Sequence, residues 1–98
     1  MRWTVLVSPN VDARLADLRP DTISLIHREL QQTLGFNPDA AGTRGRGLLS
    51  SVRIFSLKVT EDHTEYSLHF AYQIIDATME VHVASVSLGG ASPKRRAR

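Results

Sequence analysis

The sequence predicts an α+β fold with element order β-α-α-β-β-β, a helical hairpin packed on one face of a small, mainly antiparallel sheet. Three observations carry the prediction. A short alternating stretch opens the chain, two amphipathic helical stretches follow on either side of Arg19-Pro20-Asp21, and three alternating apolar stretches joined by polar turns close it. At 98 residues one hydrophobic core is expected, and we assign residues 1–90 to a single domain and residues 91–98 to a flexible basic tail.

The first strand is read over Arg2 to Val7, where Trp3, Val5 and Val7 alternate with Thr4 and Leu6. Ser8-Pro9 ends it and opens a helix, with the serine as cap and the proline at the first helical position. Val11, Leu15 and Leu18 then follow at helical spacing to about Leu18. A second helix runs from Pro20 or Asp21 to Leu34, with Ile23, Ile26, Leu30 and Leu34 on one face and Gly35 as its stop. Phe36 to Gly47 contains Asn37-Pro38, glycines and arginines without any period, and reads as a long loop of the kind that carries function.

Arg53 to Val59 places Phe55, Leu57 and Val59 on one face and Ile54, Ser56 and Lys58 on the other. A polar turn over Thr60 to Glu65 leads into Tyr66 to Ile75. This is the clearest strand, with Tyr66, Leu68, Phe70, Tyr72 and Ile74 facing the core and His69 on the opposite side. If Asp76-Ala77-Thr78 forms a three-residue turn, the last strand, Met79 to Leu88, sets His82 against Tyr72 and towards the core. A turn one residue shorter moves His82 to the face of His69. The helices must cover one side of the sheet, so function is expected on the other.

With no cysteine, the chain has neither a disulfide framework nor a thiolate ligand, and a reducing cytoplasm suits it. The histidines, His27, His63, His69 and His82, lack short ligand spacing, so no metal and no cofactor is expected. Apolar runs fall far short of a membrane span, and Met1 to Val7 lacks a signal-peptide pattern, so neither a membrane nor export is expected. Lys and Arg total 12 against 10 acidic residues, and their placement matters more than the net charge of +2. Arg44 and Arg46 lie in the loop, and Lys94, Arg95, Arg96 and Arg98 crowd the C-terminus, where such clusters can meet phosphates or merely be solvated.

Four pieces of sequence in this order carry a resemblance across nearly the whole chain. They are Trp3-Thr4-Val5 running into Ser8-Pro9, a hairpin closing at Leu34-Gly35-Phe36-Asn37-Pro38, a glycine-bearing loop, and Tyr72-Gln73-Ile74-Ile75-Asp76 before a valine-rich strand. Together they resemble toxins of the RelE/ParE superfamily from bacterial type II toxin–antitoxin pairs. In the RelE kind this implies inhibition of translation through ribosome-dependent cleavage of messenger RNA, a metal-independent endoribonuclease activity. In the ParE kind it implies non-enzymatic poisoning of DNA gyrase. A third alternative is a degenerate toxin that retains only antitoxin binding. The resemblance also implies a cognate antitoxin as partner, with the oligomeric state set by that complex, and Ile75, Val81 and Val83 as outer apolar residues available to it.

For the ribonuclease alternative the resemblance implies basic groups on the polar side of the sheet. His69 stands where such toxins tend to have a sheet arginine, Lys58 looks like a family basic position on the same face, and Arg95 lies near the family's C-terminal aromatic position. These three are the expected catalytic residues, with Arg44, Arg46, Arg53, Lys94 and Arg96 expected on RNA. A second family arginine, expected after the last strand, is replaced by Leu88-Gly89-Gly90. The chemistry explains the residue types, since attack of a ribose 2′-hydroxyl on its own phosphate needs a base, cations for the phosphorane charge, and an acid for the leaving oxygen.

Overall fold

Ser8 accepts a hydrogen bond from the Asn10 amide (3.2 Å) and Pro9 takes the first helical position, so the first helix begins where capping chemistry places it. In the computed structural model, which describes residues 2–44 and 52–89, β1 (Thr4–Val7) leads into α1 (Pro9–Leu15) and α2 (Pro20–Phe36). A short α3 (Pro38–Ala41) and a two-residue β2 (Thr43–Arg44) follow. The chain ends in three long strands, β3 (Arg53–Glu61), β4 (Thr64–Ile75) and β5 (Glu80–Gly89). The sheet order is β1-β5-β4-β3-β2, antiparallel throughout except for the parallel β1–β5 pair. The tail over 91–98 lies outside the described residues.

The helical hairpin covers one face. Val11 and Leu15 of α1 and Ile26, Leu30 and Leu34 of α2 are buried against Val5, Phe55, Val59, Leu68, Phe70, Tyr72, Val81, Val83 and Val86 of the sheet. Phe55 and Phe70, opposite each other on β3 and β4, stack with ring centroids 6.3 Å apart.

Five local expectations need correction. The first helix ends at Leu15; Leu18 lies beyond it yet stays buried. Gly35 is no stop, because α2 continues to Phe36. Instead the glycine lets α2 approach β1, where an added Cβ would stand 3.3 Å from the Trp3 carbonyl oxygen and where the Trp3 amide donates to the Gly35 carbonyl at 2.7 Å. The stretch after Phe36 is partly regular, since Asn37 caps α3 through the Ala40 amide and Pro38 opens it, repeating the Ser8-Pro9 device. The β4–β5 turn holds four residues, with Met79 left-handed at φ 53°, which sets Tyr72 against Val83 and Gln73 against His82. His82 is therefore exposed, and Val81 and Val83 are core residues rather than an outer apolar patch.

Two long-range ties fix the hairpins. Asp62 and His63 both adopt left-handed backbone (φ 51° and 67°), the signature of a tight two-residue hairpin turn. This tip docks on the α1–α2 junction, where the Arg19 amide donates to Glu61 Oε1 and its guanidinium pairs with Asp62, both at 2.9 Å. The amide bond, with help from the Thr22 hydroxyl, holds the Glu61 carboxyl below its ordinary 4.5. At the other end the buried Tyr72 hydroxyl donates to the Pro38 carbonyl at 2.6 Å.

Gly42 passes so close that an added Cβ would collide with the Ile54 carbonyl and stand 2.7 Å from the Tyr72 hydroxyl oxygen. Its φ of −136° is open to any residue, so the constraint is steric. Gly42→Ala should cost about 1–3 kcal/mol, read as a lowered urea midpoint at unchanged slope. The depressed Glu61 carboxyl contributes stability that is present above 4.5 and lost as pH falls through its lower folded value. Glu61→Gln should flatten the fall of the unfolding midpoint across that acidic window, measured by thermal melts at stepped pH.

Candidate functional site

The pairing of β3 with β4 sets Ser56 opposite His69 and Lys58 opposite Ser67, and the pairing of β4 with β5 sets His69 opposite Ser87 and Ser67 opposite Gly89. Side chains alternate along a strand, so Ser56, Lys58, Ser67, His69 and Ser87 share the face turned away from the helices. Ser67 is half-buried and the other four are exposed.

His69 is central to this group. Its Nδ1 lies 2.8 Å from Ser56 Oγ, a direct cross-strand hydrogen bond in which the tautomer decides which partner donates. Its opposite ring edge lies towards β5, where a Cβ on Gly89 would stand 4.0 Å from His69 Cδ2. Lys58 is a diagonal neighbour of His69, a relation that brings Cα atoms to roughly 7–8 Å. The row thus offers an imidazole able to accept or donate a proton, an ammonium, and hydroxyls on both sides. An open groove of about 430 Å³, lined by Val52, Ile54, Ala71, Gln73, Ala84 and Ser85 among others, continues along the same face.

The remaining expected site residues are placed elsewhere. Arg53 pairs with Tyr72 in the sheet register, and its guanidinium forms an ion pair with the Asp39 carboxylate of α3. It does not join His69. Next to this pair, burial raises the Tyr72 phenol above its ordinary value, against a smaller lowering by Arg53. Arg44 contributes its backbone to β2 at the sheet edge. Arg46, Lys94, Arg95 and Arg96 lie outside the described residues. His82 bonds to Glu80 at 2.9 Å, and this bond, ahead of one from Thr78, holds the Glu80 carboxyl below 4.5. His27 bonds to Asp12 at 2.8 Å across the helical hairpin. Among the described residues no group of three or more His, Asp or Glu side chains is arranged to hold a metal ion, and no helix is long and apolar enough to cross a membrane.

Ser56 is the residue that the sequence reading missed. Its signal was present, because counting back along both strands from Asp62-His63 as a two-residue turn puts Ser56 against His69.

No family model and no curated protein matches the sequence. Comparison of structures does find a match. A chain in the crystal structure of the toxin–antitoxin complex RelBE2 from Mycobacterium tuberculosis has a TM-score of 0.71 to this chain at 18% sequence identity, covering 94% of this chain and 95% of that one. The chain has a RelE-like fold.

The register makes a sharp contrast between neighbours on β5. His82→Ala should change stability by no more than about 0.5 kcal/mol, whereas Val83→Ala should cost on the order of 2 kcal/mol, both read from urea unfolding.

Proposed function

We propose that this chain is the toxin of a type II toxin–antitoxin pair, neutralised by a cognate antitoxin, and that it inhibits translation in the cytoplasm as a ribosome-dependent messenger RNA endoribonuclease. The observation that carries the reading is His69, held by Ser56 on the exposed face of a RelE-like sheet with Lys58 diagonal to it. In this reading His69 takes the proton of a ribose 2′-hydroxyl as its oxygen bonds to phosphorus. The Lys58 ammonium faces the charge that builds on the phosphorane. The bond to the 5′-oxygen breaks as that oxygen takes a proton from water, the hydroxide so formed takes the proton held by His69, and the products carry a 2′,3′-cyclic phosphate and a 5′-hydroxyl. Arg95 would add a second cation for the phosphorane charge, and Arg44, Arg46, Lys94 and Arg96 would supply further contacts to RNA phosphates.

One observation favours a second reading, a non-enzymatic gyrase inhibitor. Among the described side chains, Lys58 is the only lysine or arginine on the outer face, since Arg53 shares the parity of Phe55 and lies on the helix side, opposite Tyr72. Induction in cells separates the two. The ribonuclease reading expects growth arrest with cut messages, relieved by His69→Ala through a fall in cleavage of about 10²–10⁴-fold. Arrest with intact messages and DNA damage, unaffected by His69→Ala, would replace it with the gyrase reading.

A further inference from the structure

We propose that Ser56 is the positioning residue of His69: its hydroxyl oxygen accepts the Nδ1 proton, fixing the tautomer in which Nε2 is the nitrogen that takes a proton from RNA. The inference rests on the ribonuclease reading and adds to it a residue and a direction of hydrogen bonding.

The geometry points to it in three steps. Ser56 and His69 are direct partners in the β3–β4 register, with donor and acceptor 2.8 Å apart, so the bond is built into the sheet rather than made by two long, mobile side chains. A serine has few rotamers to lose, and it holds the ring at low cost in entropy. Next, the ring has one edge committed on each side. Nδ1 is turned to β3, while Cδ2 is turned to β5, where Gly89 presents no side chain. Among the described residues Nε2 is therefore the nitrogen left for substrate, since position 89 adds no side chain beside the ring.

Finally, a base must arrive without its proton. If Ser56 donated to Nδ1, the proton of the neutral ring would sit on Nε2 and block acceptance there. With Ser56 accepting, the neutral ring carries its proton on Nδ1 and Nε2 has a lone pair. The same hydroxyl then accepts from Nδ1 after Nε2 has been protonated, so the hydrogen bond persists through the proton transfer and strengthens as the ring becomes charged.

The test uses the full-length chain with ¹⁵N-labelled histidine, His69 being assigned by comparison with His69→Ala. In alkaline solution, where the ring is neutral, long-range ¹H–¹⁵N spectra should show His69 mainly protonated at Nδ1. Ser56→Ala should return it to the Nε2-protonated form usual for a solvated imidazole, and Ser56→Thr should keep the wild-type pattern. On programmed ribosomes Ser56→Ala should lower kcat roughly tenfold at unchanged KM, with Ser56→Thr restoring it.

An identical tautomer in wild type and Ser56→Ala, or full kcat in Ser56→Ala, would overturn the positioning role. A tautomer shift together with no cleavage by the wild-type chain has a different meaning. It retains the Ser56 hydrogen bond and overturns the ribonuclease reading.

Discussion

The strand β5 can keep Val81, Val83, Val86 and Leu88 on one face only by carrying a residue with no partner, and Ala84 is that residue. Pairing with β4 steps from Tyr72↔Val83 directly to Ala71↔Ser85, leaving Ala84 bulged and exposed. With regular pairing from the Asp76 turn onwards, Val86 would face outward opposite His69. A buried valine is worth roughly 1.5–3 kcal/mol, so loss of the bulge would expose core side chains and place an apolar one in the middle of the polar row. The single irregularity thus closes the core under the helices. It also sets Ser87, a hydroxyl, beside the imidazole.

A second constraint lies at the opposite edge. Tyr72 reaches through the core to the Pro38 carbonyl, Gly42 makes room for its hydroxyl, and the Arg53–Asp39 ion pair sits beside it. This corner ties α3 and β2 to β3, and it uses Arg53 for structure. Arg53 shares the helix-side parity of Phe55 and Val59, so strand alternation rather than the ion pair keeps its guanidinium off the outer face.

Most of the architecture was legible because each element follows from local pattern. Ser8-Pro9 caps a helix by the same rules in any context, and Tyr66 to Ile74 alternates so strictly that its buried face admits no second choice. The position of His69 followed from that alternation alone. What failed depended on information that no local window contains. The exposure of His82 turned on a four-residue turn closed by left-handed Met79, and the Ala84 bulge then resets the parity beyond Val83; in a strand apolar on both faces either parity fits the sequence. Gly35 reads locally as a stop, but its reason is a neighbour 32 positions earlier, the Trp3 carbonyl. The likeness of Asn37-Pro38 to Ser8-Pro9 was visible and its meaning overlooked. The ion pair between Arg53 and Asp39 joins segments whose meeting only the fold reveals.

Among the described side chains the outer face carries one cation, Lys58, and this bears on how such a site would work. A histidine base contributes about 10²–10⁴ in rate, and one donor aimed at a developing oxyanion contributes about 10²–10³. An absent arginine therefore costs nearly as much as His69 supplies, and neutral serine hydroxyls make hydrogen bonds about half as strong as charge-assisted ones. On the proposed reading, Lys58 alone cannot both capture RNA and stabilise its transition state by charge. The larger share must come from holding the 2′-oxygen, phosphorus and 5′-oxygen in line before attack, a contribution that can exceed either of the others. On that reading a messenger already threaded through a ribosome would meet the requirement, because its path would be fixed before this chain arrives. The exposed row of Ser56, His69 and Ser87 then needs to supply only an oriented proton acceptor and a complementary surface, and Ser56 provides that orientation.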